Sequence, residues 1–414
     1  MKLRRLPEDF QVEELSNIAV STGPFALYRL TKKSIGTPEA VNAIVERWKV
    51  HRKRISFGGL KDRHAVTIQY LTIHNGPRKA LRQSSMELEY LGQTNAPFTP
   101  ADFHANRFQL VLRDMQDAEI QQAEAAVSQV QQTGLPNYFD DQRFGSLGGS
   151  GDWIARAWCR SEWERALWLA LADSHVNDSS SEKQQKQLLR DLWGQWSECQ
   201  QRLSNSPRRS IVTHLLESMK AGRQPDFRGA VARINVDLRG LYLSAYQSVL
   251  WNRWLTRFIE TQCDTASLTG FSLLSGRGVF PRALPAPAVA ALSEDQLPLP
   301  CARIDRPDGL TGDLLDTVLQ EENIELRQLR VKYPRDSFFS KGMRHVLIRP
   351  AGLRCQADDD ELHERRRKLT LSFDLPRGSY ATILVKRLTE AGSAFPGQER
   401  DALPHCVADG IRRV

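Results

Sequence analysis

One aspartate in this chain stands among residue types that suit catalysis. In Phe57-Gly58-Gly59-Leu60-Lys61-Asp62-Arg63-His64-Ala65-Val66-Thr67-Ile68-Gln69-Tyr70, two glycines that permit close backbone approach precede a single carboxylate between two cations, and an alternating run follows. Asp62 is therefore predicted at a loop-to-strand junction, a common place for a reactive group on a rigid support. Lys61 and Arg63 would stabilise a carboxylate charge, and both suit phosphate contact. Neighbours in extended backbone point to opposite faces, so a direct partner for Asp62 must come from further along the chain. Taken alone, the string reads more readily as an exposed turn with a surface ion pair.

A second segment, Asn137-Tyr138-Phe139-Asp140-Asp141-Gln142-Arg143-Phe144-Gly145, combines amide, aromatic and guanidinium groups. This suits recognition of an extruded base: Phe139 offers a stacking face, Asn137 and Gln142 read polar edges, and Arg143 holds a phosphate. The plainer reading makes Tyr138, Phe139 and Phe144 core residues.

The elements that must position these groups are legible in outline. Residues 10–13, 25–30 and 108–112 alternate as strands do. A helix is predicted from Thr37 as its cap, with Pro38 in the first turn and Val41, Ile44, Val45 and Trp48 on one face. A second is predicted over residues 117–133, closed by Gly134 and Pro136. Together these indicate an α+β fold with mainly antiparallel sheet. After Ser146 the chain becomes Trp-, Gln- and Arg-rich and reads as helical to Arg233, with residues 179–186 as a polar loop and 204–209 as a break. A long helix is predicted over residues 241–261, and residues 281–300 read as irregular surface. Strand character returns at residues 344–349, 369–373 and 380–385. The return suggests one domain, built from residues 1–150 and 340–414, interrupted by another at 151–339.

With 414 residues the chain is too long for a small stapled scaffold, and 41% hydrophobic with 26% charged residues is a globular composition. Its apolar runs fall short of a bilayer span, so a cytoplasmic protein is expected. Cys159, Cys199, Cys263, Cys301, Cys355 and Cys406 form no CxxC pair, which favours free thiols. The net charge of +8 hints at an anionic partner and does not identify one. Gly145-Ser146-Leu147-Gly148-Gly149-Ser150-Gly151 lacks the Lys-Ser/Thr ending of a phosphate loop. Trp153, Trp158, Trp163 and Trp168 read as core, not as a stacking ladder, and the acidic run 358–361 as a solvated loop.

Gly59-x-Lys61-Asp62-x-x-Ala65-x-Thr67-x-Gln69 resembles the signature of the TruD family of transfer RNA pseudouridine synthases. Other stretches match in the family order: Glu8-Asp9-Phe10-x-Val12, Lys32 ahead of Thr37, Asn137-Tyr138-Phe139 with Gln142-Arg143-Phe144-Gly145, Leu241-Tyr242-Leu243-Ser244-Ala245, and Leu375-Pro376-x-Gly378-Ser379-Tyr380-Ala381-Thr382. The resemblance implies a V-shaped protein with a pseudouridine-synthase-like catalytic domain from both chain ends and an inserted α/β TRUD domain. It implies isomerisation of a transfer RNA uridine, usually at position 13, without metal or cofactor, by a monomer.

By the motif match Asp62 is the catalytic aspartate, and Phe10, Asn137, Phe139 and Tyr380 surround the target nucleotide. Lys32, Lys61, Arg63, His64, Gln69, Gln142 and Arg143 then bind RNA or support the site. Whether Asp62 acts as nucleophile or base is open, and Lys32 is a candidate to pair with it. The segment from Trp153 to Arg233 is longer than a compact version needs. Two rivals remain: an inactive RNA-binding protein of the same fold, and a glycoside hydrolase, for which no second acid stands out.

Overall fold

The computed structural model describes residues 1–389, apart from Asn177 and Ala221. Residues 390–414, the last part of the expected carboxyl-terminal segment, and Cys406 with them, lie outside the described residues. The chain forms two compact units, one from Met1–Asn137, Arg282–Ser293 and the chain from Leu347, the other from Tyr138–Pro281 and Glu294–Val346.

The first unit is built on a ten-stranded sheet. Its strands are β1 (Lys2–Leu3), β2 (Phe10–Ser16), β3 (Phe25–Lys33), β4 (Ile55–Phe57), β5 (Val66–His74), β6 (Leu81–Gln83), β7 (Met86–Thr94), β8 (Phe103–Met115), β9 (Ala351–Asp359) and β10 (Arg367–Pro376). The main path runs β9-β10-β8-β2-β5-β3-β7-β6, with β1 added to β8 and β4 to β5. Every pairing is antiparallel except β2 with β5, where Gln11 lies beside Val66 and Val12 beside Thr67. That parallel pair puts the beginnings of both strands at one end of the sheet, so the chain before Phe10 and the loop before Val66 start from the same edge. β3 runs the other way and delivers Lys32 and Lys33 beside Thr67 and Val66 at that edge.

Helix α1 (Thr37–Trp48) packs Val41 and Ile44 on Tyr28, Leu30, Leu71 and Ile73, all fully buried. Its apolar stripe at i, i+3, i+4 and i+7 is what the sheet covers. The cap is Gly36, not Thr37, and Lys49 closes the helix in the left-handed region at φ 54. Thr37 is the first helical residue because its hydroxyl is engaged elsewhere. Helix α2 (Asp117–Thr133) begins on a reciprocal Gln116–Glu119 cap and ends at Gly134, φ 73. Phe10 meets Phe108 edge-on and Phe108 stacks on Phe373, which joins β2, β8 and β10 across the core.

The second unit is mainly helical. Its spine is α3 (Val236–Gln262), whose Tyr246, Trp251 and Trp254 are wholly buried. Shorter helices precede it, and the Leu268–Leu273 and Gly276–Pro281 strands form a hairpin. Trp153 and Trp158 are core. Trp163 and Trp168 are half-buried and, with Trp193, line an open hollow of about 540 Å³.

Four further local expectations change. The break at residues 204–209 covers only its first half, because Pro207 opens a helix, Pro207–Lys220. Residues 179–186 belong to a helix, Ser180–Asp191: the Ser179 hydroxyl accepts the Glu182 amide, and a single buried leucine, Leu189, is apolar face enough. Residues 281–300 include a helix, Ala286–Glu294, because alanines between the prolines favour it. Residues 380–385 are not a strand but the start of α4 (Ala381–Thr389), in which Ile383, Leu384, Val385 and Leu388 are all buried. A short apolar run of this kind carries no period that separates strand from buried helix. Cys159, Cys199, Cys263, Cys301 and Cys355 are free thiols. Among the described residues no helix is long and apolar enough to cross a membrane.

Candidate active site

Asp62 lies in the loop between β4 and β5, with its side chain 40% exposed. Its partner is Arg4, a residue that no motif singled out: Arg4 Nη2 donates to Asp62 Oδ2 at 3.2 Å. The guanidinium also covers the Phe10 ring, 3.7 Å from its centroid. The amino-terminal segment thus brings one cation to the loop carboxylate and seats that cation on an aromatic ring.

That segment is held in place from below. Arg4 sits at φ 60, and the buried Asp9 accepts the Leu6 amide at 2.8 Å, closing the turn. Asp9 in turn receives Arg113 Nε at 2.9 Å. Arg113, on β8, gives its other nitrogens to Asp360 and Glu361, each at 2.9 Å. Residues 358–361 are therefore not wholly a solvated loop. The Asp360 side chain is fully buried, because Arg113 and His363 supply the partners an isolated carboxylate would lack. Burial alone would push Asp360 up, but the Asp114 and Leu362 amides, His363 and Arg113 together hold it well below the usual range. Arg113 and Lys368 bring Glu361 down to about 2.

The cations flanking Asp62 turn elsewhere. Lys61 points inward to the buried Glu14, with Nζ 2.7 Å from Oε1, and Arg63 reaches Glu39 at 3.5 Å. Lys61 is thus an internal anchor and not an exposed phosphate ligand, as the alternation of side chains along an extended stretch requires. Lys32 is 1% exposed and does not bond the Asp62 carboxylate. Its Nζ donates to main-chain carbonyls, those of Ile35 and Asp62 at 2.7 Å and Lys61 at 3.4 Å. Burial lowers Lys32 to about 8, against the pull of Asp62 and Glu39 and with the help of Lys61. Gln69 is wholly buried, accepts the Thr37 hydroxyl at 2.8 Å and donates to the Gly59 carbonyl at 3.1 Å. His64 is exposed.

Asn137, 6% exposed, accepts the Ser379 hydroxyl at 3.0 Å. The half-buried Tyr380 follows directly and its carbonyl receives the Ile383 amide in the first turn of α4. Phe10, Asp62, Asn137 and Tyr380 all belong to the first unit.

Phe139 belongs to the second unit. Its main chain is held by Asn252 through both N–H and C=O, its ring meets Trp251 edge-on, and Arg344 lies 4.0 Å over it. Arg143 lies on the same ring at 5.7 Å and Gln142 is exposed. The glycine-rich run after it already holds a carboxylate: Asp173 accepts the Ser150 amide and hydroxyl. Arg344 and Arg4 are cations that the sequence reading missed. The signal for Arg4 was its place just ahead of Glu8-Asp9-Phe10.

Among the described residues no group of three or more His, Cys, Asp or Glu side chains is placed to hold a metal ion. The family model described as tRNA pseudouridine synthase D (TruD) matches residues 1–270 and 293–388. A tRNA pseudouridine synthase D of Aquifex aeolicus is 29% identical over 405 residues, covering 94% of this chain and 98% of its own. A probable tRNA pseudouridine synthase D 2 of Methanocaldococcus jannaschii is 28% identical over 394 residues, covering 94% and 91%. In fold, the chain is similar to the crystal structure of a putative tRNA pseudouridine synthase D from Methanosarcina mazei, with a TM-score of 0.71 at 23% identity, over 94% of this chain and 93% of that one.

Proposed function

The chain belongs to the tRNA pseudouridine synthase D family, and from that premise we propose that it isomerises a transfer RNA uridine, at position 13, with Asp62 as the reacting carboxylate. The observation that carries the assignment of Asp62 is its setting. It is an accessible carboxylate at the edge where β2 and β5 begin, bonded to a guanidinium that sits over a buried phenylalanine.

Pseudouridine formation breaks the N1–C1′ bond, turns the freed uracil, and joins C5 to C1′; the C5 proton leaves and N1 takes one up. A carboxylate serves either as nucleophile at C1′ or as base at a neighbouring carbon, and both roles require it charged. Arg4 stabilises that charge and fixes the direction of the carboxylate. Tyr380 offers an aromatic face that holds a detached base without locking its rotation, and Asn137 an amide to read its edge, while Phe10, its ring covered by Arg4, backs that guanidinium beside the target nucleotide.

The catalytic part is assigned to the two chain ends, residues 1–150 and 340–414, with 151–339 inserted. Phe139, Gln142, Arg143, Arg63 and His64 are assigned to RNA contact. A cytoplasmic monomer acting without metal or cofactor completes the reading.

The test is to incubate uridine-labelled transfer RNA with wild-type protein and with Asp62→Asn, and to count pseudouridine by mass spectrometry of nucleosides. Product from the wild type alone supports the assignment. Product from both at one rate removes Asp62 from the mechanism, and product from neither leaves an RNA-binding protein.

A further inference from the structure

The segment Gly59–Asp62 has neither helix nor strand to hold it, yet its main-chain groups are engaged by three side chains that water hardly reaches. The Gly59 carbonyl takes Gln69 Nε2 at 3.1 Å, and the Lys61 amide donates to Thr37 Oγ1 at 3.0 Å. The Lys61 and Asp62 carbonyls both take Lys32 Nζ. Thr37 and Gln69 are bonded to each other at 2.8 Å, so the three residues act as two linked supports. Lys32 and Gln69 are 1% and 0% exposed, and Thr37 is 0%.

Each support comes from a different rigid element: Lys32 from the end of β3, Thr37 from the start of α1, Gln69 from β5. None of the three side chains reaches the surface, so none is available to RNA. Buried polar groups of this kind are costly unless fully paired, and here each of the three spends part of its pairing on one loop.

We propose that Lys32, Thr37 and Gln69 are positioning residues that clamp the main chain of residues 59–62 and thereby set where the Asp62 carboxylate stands. The proposal rests on the assignment of Asp62 made above. A reacting group has to be held to about half an ångström, and a displacement of about 1 Å costs on the order of 10²-fold in rate. Lys32 matches the task by number: three N–H donors meet the carbonyls of Ile35, Lys61 and Asp62. On losing its proton it keeps two donors for the three carbonyls. The charged groups acting on it are Asp62 and Lys61 from the loop and Glu39 from α1.

The test compares wild type with Lys32→Met, Thr37→Val and Thr37→Ser in steady-state kinetics on transfer RNA, and in amide hydrogen exchange of the peptide containing residues 59–62. Lys32→Met and Thr37→Val should lower kcat by about 10²-fold while KM moves by less than about 3-fold, with faster exchange in the loop. Thr37→Ser, which keeps the hydroxyl, should restore both. Wild-type kcat should fall as pH rises through about 8, and Lys32→Met should lack that limb.

Unchanged kcat and exchange in folded variants would overturn the clamp, and so would a loss confined to KM, which would make these residues RNA contacts. If Lys32→Met does not fold, the Thr37 pair decides. If the wild type makes no pseudouridine, the functional reading fails while hydrogen exchange still decides the clamp.

Discussion

Arg4 and Asp62, 58 residues apart in the chain, meet at 3.2 Å because β2 and β5 run parallel and begin at one edge. The pair does not stand alone: the same guanidinium rests on Phe10, so charge and shape are supplied together. Arg4→Met should lower kcat by about 10²-fold, the scale of a lost electrostatic contact in an active site, with little change in the melting temperature. Arg4→Lys should lie between, since it restores charge but not the planar guanidinium over Phe10. Equal activity in Arg4→Met and wild type would remove Arg4 from the site.

Lys61 and Arg63 should part company in RNA binding. Arg63→Ala should weaken binding modestly and lower the slope of log affinity against log salt by about 1. Lys61→Ala leaves the buried Glu14 with the Tyr70 amide but no counter-charge, and should destabilise the fold by about 3–5 kcal/mol. A filter-binding salt titration and a urea melt of each variant check the contrast.

Acid should loosen the Arg113 cluster. Asp360 and Glu361 bind protons less readily when folded than when unfolded. Their stabilisation is therefore complete above the unfolded carboxylate range and is lost as pH falls from about 4 toward about 2. Glu361 is half exposed, so Asp360 carries most of the effect. Melts between pH 7 and 2 should show the loss, and Arg113→Met should be less stable at pH 7 with a shallower acid slope.

Alkali acts oppositely through Lys32. Its folded value near 8 lies below the unfolded value of about 10.4, so between these pH values the unfolded chain holds more protons. This group's contribution to stability therefore rises from pH 8 to about 10 even as the proposed activity falls. Melts of wild type and Lys32→Met over that range separate loss of catalysis from loss of fold.

Ile44→Ala, beneath the sheet and away from Asp62, should cost about 2–5 kcal/mol, and Ile44→Val about 0.5–1.5. Folded Ile44→Val should keep wild-type kinetics.

Legibility in the sequence followed how local each cause was. Both ends of α2 could be read because Asp117, Gly134 and Pro136 act within one turn of the backbone. The four residues from Ala381 to Leu384 could not, since apolar neighbours on all sides erase the period. Asp62 stood out through its glycines and flanking charges. Arg4 did not, because its pairing exists only after a distant strand has taken its place. Lys32 and Gln69 were recognisable as important, yet their role turned on which atoms they reach, and a sequence does not say whether a lysine meets a carboxylate or a carbonyl.

The sheet of the first unit closes across a gap that favours one order of assembly. Arg113 finds Asp360 only 247 residues later, and β8 waits as long for β10. On the ribosome, both stretches of the second unit, Tyr138–Pro281 and Glu294–Val346, emerge while β8 still has an open edge. The amino-terminal third must therefore spend most of translation unfinished, with a long unpaired strand that invites wrong partners. The order of synthesis makes the sheet-bearing unit the last to mature, and the one most in need of protection while it waits.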